Sequence, residues 1–131
     1  MKNGLEIGQD GAKYWYQNHR LHRIDGPAIE YTNGDKLWYQ NGARHRTVGP
    51  AIEWANGHKE WYQNSQLHRT DGPAVEYANG DKWWYQNHRL HRTDGPAIEY
   101  TNGDKEWYID GINYTEKEFR KYQLIIKLAK I

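Results

Sequence analysis

The sequence predicts an all-β fold: an elongated antiparallel hairpin-repeat sheet or solenoid, closed by a C-terminal capping α-helix. Three observations carry this. A 23-residue period runs through the chain, every full unit holds an Asn-Gly hairpin signal, and helical spacing begins only after the last repeat.

The period is set by columns that keep one register. Trp-Tyr recurs at Trp15, Trp38, Trp61, Trp84 and Trp107, and Gly-Pro-Ala at Pro27, Pro50, Pro73 and Pro96. Asn-Gly falls at Asn33, Asn56, Asn79 and Asn102, and His-Arg at His22, His45, His68 and His91. Residues 5–15 form a degraded half unit, so the repeat array spans 1–111 and the helical segment 112–131. Within a unit the first strand is 27–31, opened by a proline that cannot donate to a ladder. Asn33-Gly34 then suits a type I′ turn, and the second strand is 36–40, rich in aromatic strand formers. A further turn at Asn18, Asn41, Asn64, Asn87 or Asp110 leads through His-Arg back to Gly-Pro. The sum is a meander of roughly nine strands.

Alternation assigns the faces. Position 37 varies as Leu37, Glu60, Trp83 and Glu106, the behaviour of a solvent-facing site. Trp38 then belongs to the core, while Tyr39, Tyr62 and Tyr85 form a partly open row to which Trp83 adds. After the repeat, Thr115 and Glu118 make a capping box, and Phe119, Tyr122, Ile125, Ile126 and Ala129 recur at helical spacing over 115–130. Leu124, Leu128 and Ile131 make this helix apolar almost all round, so besides covering the last edge it is suited to a partner or to homodimer formation.

Composition excludes several function classes. Eighteen Lys and Arg against 17 Asp and Glu leave a net charge of +1, unlike a dedicated polyanion binder. Mean hydropathy is −1.17, yet 7 Trp and 11 Tyr argue for an aromatic core rather than disorder. With no cysteine there is no disulfide and no cysteine-based zinc site. No leader and no bilayer-length apolar run is evident, which predicts a cytoplasmic protein with no membrane role.

The unit, read as Trp-Tyr-x-Asn-Gly, His-Arg, Gly-Pro-Ala and Asn-Gly, resembles the membrane occupation and recognition nexus (MORN) repeat over about residues 5–111. It is closer still to Trp-Tyr/His-Arg/Gly-Pro-Ala repeats of bacterial and phage proteins. The resemblance implies an elongated hairpin array acting as a scaffold, not an enzyme, with protein-protein or lipid-binding roles. Arg23 and its copies stand where the MORN repeat usually has Gly, which weighs against the lipid role.

Besides the open tyrosine row, the first candidate binding surface, the repeat offers the His-Arg column, doubled in "NHRLHR" at 18–23 and 87–92. Equivalent residues of successive units lie about 10 Å apart, two strand spacings, too far to share a metal. Glu30, Glu53, Glu76 and Glu99 repeat beside it, so its surroundings are the same four times, whereas catalysis needs one asymmetric constellation. No metal, no cofactor and no enzymatic activity is therefore expected. The structural reading is a ladder: Arg on Glu or on Asp25, Asp71 and Asp94, His on the loop backbone, with Val48 leaving Arg46 freer. The functional reading is a binding face of Arg23, Arg46, Arg69 and Arg92 with Tyr39, Tyr62, Trp83 and Tyr85. Its expected partner is a protein, in the form of a phage or mobile-element inhibitor of a bacterial defence nuclease. The alternatives are a nucleic acid or nucleotide bound by the Arg and aromatic stripe, and a self-assembling structural element.

Overall fold

The computed structural model describes residues 2–130. Among these residues it is mostly β, with antiparallel hairpins repeated along one sheet, no closed barrel and a single helix, Glu116–Ala129. Ile131, part of the expected apolar helix face, lies outside the described residues.

Each unit makes two hairpins rather than one. The expected second strand is broken at tryptophan in the three middle copies, as where Lys36–Leu37 and Tyr39–Gln40 lie on either side of Trp38, while Lys13–Gln17 and Lys105–Ile109 at the two ends run through Trp15 and Trp107. The first hairpin, Ile29–Glu30 with Lys36–Leu37, joins its neighbours in a 12-stranded sheet that runs the length of the array. The second, Tyr39–Gln40 with Ala43–Arg44, belongs to a parallel row of short hairpins. That row is continuous too, because Arg46 N–H donates to Tyr62 C=O (3.3 Å) and Arg69 N–H to Tyr85 C=O (3.1 Å) in the following unit. Trp38 bridges the rows: its N–H donates to Ala51 C=O at 2.7 Å and its C=O accepts from His45 N–H at 3.2 Å. A bend after every two residues thus costs no backbone hydrogen bond.

The left-handed two-residue turn expected at Asn33-Gly34 is found at the unit's other turn instead. Asn33 does not adopt positive φ; only Gly34 does, at 99°. Tyr31 C=O accepts from Gly34 N–H and Tyr31 N–H donates to Asp35 C=O, a three-residue loop closed by a glycine bulge. Asn33 serves it through its side chain, whose Oδ1 accepts from Asp35 N–H at 2.9 Å. The two-residue left-handed turn is the other one, with Asn41 at 51° and Gly42 at 81°. His19, Ser65 and His88 occupy the glycine position at 65°, 64° and 66°. Each offsets that strain by accepting a backbone N–H of the preceding segment, from Lys2, Arg44 and Leu67 respectively.

The core lies between the two rows, and it reverses the faces assigned from alternation. Leu37 is only 6% exposed and is paired with Ile29 on one side and Ile52 on the other. Glu60, Trp83 and Glu106 occupy the same inward column. Tyr62, 7% exposed, and Leu67 come down on this column from the second row, and Tyr39 and Trp38 pack against it half-buried. The tyrosine row is therefore not an open face. The reason is the break at Trp38: bending the chain there folds the tyrosine side of the second hairpin over the position-37 side of the first.

The chain ends as expected in a capped helix. Thr115 Oγ1 accepts from Glu118 N–H (3.1 Å) and Glu118 Oε1 from Thr115 N–H (2.9 Å). Residues 112–114 add a last strand against Lys105–Ile109 before it. Phe119 is the helix's buried anchor and Gln123 donates to Thr93 C=O, while Leu124, Ile125 and Leu128 stay exposed. No helix among the described residues is long and apolar enough to cross a membrane.

Leu37→Ala tests the inward column. Removing a buried leucine should cost about 2–4 kcal/mol in urea denaturation, whereas a solvent-facing position would change stability by less than about 0.5 kcal/mol.

Candidate functional site

The His-Arg column is first of all the seam of the array. Each guanidinium lies over the ring of the tryptophan eight residues before it: Arg23 on Trp15 (3.8 Å), Arg46 on Trp38 (3.8 Å), Arg69 on Trp61 (4.0 Å) and Arg92 on Trp84 (3.9 Å). Nη1 donates to the proline carbonyl four residues on, at 3.0–3.1 Å. The same nitrogen reaches the glutamate seven residues on, at 3.1 Å for Glu99 and 3.6 Å for Glu30. In three units Nε also binds the exposed aspartate, Asp25, Asp71 or Asp94. In the other, Val48 supplies no carboxylate, yet Arg46 is no freer, its side chain being 23% exposed like that of Arg23. Stacking and the proline carbonyl hold it without the aspartate.

The histidine beside each arginine ties one unit to the next. Nδ1 of His22, His45, His68 and His91 accepts from the backbone N–H of Asn41, Asn64, Asn87 and Asp110, at 2.9–3.2 Å. A neutral ring that accepts at Nδ1 carries its proton on Nε2, so each histidine keeps one N–H donor for another partner. In "NHRLHR" at 87–92, His88 thus reaches back to Leu67 and His91 forward to Asp110.

Between successive seam loops the surface opens into three clefts, one per unit, of about 360, 400 and 420 Å³ from the N-terminal end. Their linings repeat. Trp38, Gln40 and His45 line the first, Trp61, Gln63 and His68 the second, Trp84, Gln86 and His91 the third. Every cleft so presents an indole, a carboxamide that donates and accepts, an imidazole and a guanidinium. What differs is the rim: Ile24, Asp25 and Val48 at the first, Val48 and Asp71 at the second, Asp71 and Asp94 at the third.

The structure thus separates the expected site residues into two groups. Arg23, Arg46, Arg69 and Arg92 line the clefts. Tyr39, Tyr62, Trp83 and Tyr85 do not; they are half-buried or buried between the rows. Trp83 sits edge-on between Tyr77 (5.7 Å) and Tyr100 (6.4 Å), its Nε1 shielded and without a partner. Sequence reasoning missed the glutamine column, which follows every Trp-Tyr pair but the last. It also missed an asymmetric interior cluster: Glu60 accepts from Tyr62 OH (2.7 Å) and bonds His58 Nε2 (2.8 Å), with Tyr77 against the imidazole. The signal was available, since His58 breaks a column otherwise filled by Asp35, Asp81 and Asp104. Burial, then the bond and charge of Glu60, push the Tyr62 hydroxyl up to about 12, and its bond to Glu106 does the same for Tyr100. Among the described residues no three His, Asp or Glu side chains converge as metal ligands.

No family model matches the chain, and no curated protein matches it either.

Two measurements follow. Arg69→Lys keeps the charge but loses the planar stack and the fork, and should lower stability by about 1–2 kcal/mol in chemical denaturation. Because the folded state holds the Tyr62 and Tyr100 hydroxyls protonated above their ordinary value of 10.0, their contribution is full below about pH 10 and is lost as pH rises toward 12. Denaturation midpoints should fall over that window, and less steeply in Tyr62→Phe.

Proposed function

We propose that this protein is a non-enzymatic, MORN-like repeat scaffold that binds a protein partner along its row of clefts. The observation that carries the reading is the threefold repetition of one lining, Trp, Gln, His and Arg, at the spacing of the units. A surface built this way recognises something long, with contacts added one unit at a time. The donors and acceptors of Gln and His suit a peptide backbone, and half-exposed indoles beside arginine suit a protein interface. Nucleic acid is the weaker fit. Each guanidinium already faces one or two carboxylates, and Asp71 and Asp94 put negative charge on the rim where phosphates would run. The narrower form, a phage or mobile-element inhibitor of a bacterial defence nuclease, belongs to the same proposal, and the test below identifies the target.

Tagged protein is used to capture partners from bacterial lysate, with and without nuclease treatment, beside the double variant Gln63→Ala/Gln86→Ala. A stoichiometric protein that survives nuclease and is lost with the variant is the expected result. Capture abolished by nuclease, or unchanged in the variant, overturns it.

A further inference from the structure

Resting on the protein-partner reading, we infer that the clefts take a polypeptide segment in polyproline II conformation, one side chain in every three entering a cleft. The segment carries an apolar side chain for the first cleft and a basic one for the third. The argument begins with length. Successive clefts are two strands apart, about 9.4–9.8 Å. A polyproline II helix turns once in three residues and advances about 9.3 Å, so the mismatch is at most about half an ångström per cleft. An extended strand repeats its side-chain direction every 6.6 Å or so, and an α-helix turns every 5.4 Å, so neither keeps step over three clefts.

Hydrogen bonding agrees. A polyproline II segment makes no internal hydrogen bonds, so each turn offers free carbonyls and any N–H groups not lost to proline. Each cleft offers the matching set: the histidine Nε2–H as donor, because Nδ1 is committed to the neighbouring unit, and a glutamine amide that serves either way. The indole supplies the apolar wall against which such segments pack.

The rims fix the side chains. Ile24 and Val48 are 80% and 85% exposed, at loop positions where the other units carry Thr or Asp, and both flank the first cleft, whose rim holds one carboxylate, Asp25, where the third holds two. An apolar residue entering there buries surface that otherwise faces water. At the third cleft Asp71 and Asp94 are 84% and 83% exposed, and each spends only Oδ1 on its own arginine. Two half-used carboxylates on one rim call for a lysine or arginine. The units are alike where they hold the array together and differ where they would read a partner.

The probe is the synthetic peptide acetyl-Leu-Pro-Pro-Thr-Pro-Pro-Arg-Pro-Pro-amide, together with its reverse sequence, since the chain direction is open. Titration calorimetry on the intact protein compares these with a version whose anchors are four residues apart and one with Glu in place of Arg. In one of the two directions, the in-period Arg peptide should bind about ten-fold more tightly than either control. Val48→Asp restores the acid of the other units, so it should fold as the parent does. It should shift preference at the first anchor from Leu toward Arg. Equal binding of all peptides, binding of none, or a Val48→Asp protein with unchanged preference overturns the inference. If no peptide binds while the lysate partner is still lost with Gln63→Ala/Gln86→Ala, the scaffold reading stands and only the conformation of its partner is wrong; if both fail, both fall.

Discussion

One contact recurs at every seam and the rest of the array depends on it: a guanidinium laid on an indole at about 4 Å, with a proline carbonyl and a glutamate taking its N–H groups. The tryptophan stands where the chain bends from the first row of hairpins into the second, and the proline and glutamate stand where it re-enters the first. The arginine therefore spans the only two places at which the rows are covalently joined. A half-covered cation over a ring contributes about 1–2 kcal/mol, and charge-assisted hydrogen bonds add to it. With aliphatic side chains as few as they are here, four copies of that contact replace what a larger protein draws from a leucine core.

Along the array the histidines do a different task with the same regularity. By accepting the N–H of the next unit's turn they satisfy a backbone donor at the outer end of the second row, where no strand pairing reaches. Seam and row are thus held by adjacent residues pointing to different units, and this is why His and Arg recur as a pair. Where an additional histidine occurs, at His19 and His88, the same chemistry runs backward to the preceding segment and compensates a left-handed backbone.

In a scaffold whose columns hold it together, one cleft differs from the next only where a column breaks. Two sets of breaks are visible. His58, Glu60 and Trp83 fall between the rows, where His58 bonds Glu60 and Trp83 packs between two tyrosines. Ile24 and Val48 fall on the rims of the clefts, where a partner meets them. Burial and not sequence variability separates the two sets: the first is half-buried, the second 80% exposed or more.

The period, the two turns per unit, the inter-unit role of His-Arg and the capped helix were all legible in the sequence. Each is local: a turn residue, a cap or a residue spacing acts within a few positions, and repetition multiplies the signal. What the tertiary structure alone decided is which side of each strand is inside. Alternation puts Leu37 and Tyr39 on one face but does not say whether that face is inside; the bend at Trp38 folds the face in on itself, so position 37 and the tyrosine row become core. The clefts were hidden for the same reason. Their Trp, Gln, His and Arg come from two successive units brought side by side by hydrogen bonds between the rows, and a distance of 23 residues in sequence does not show which side chains then face the gap.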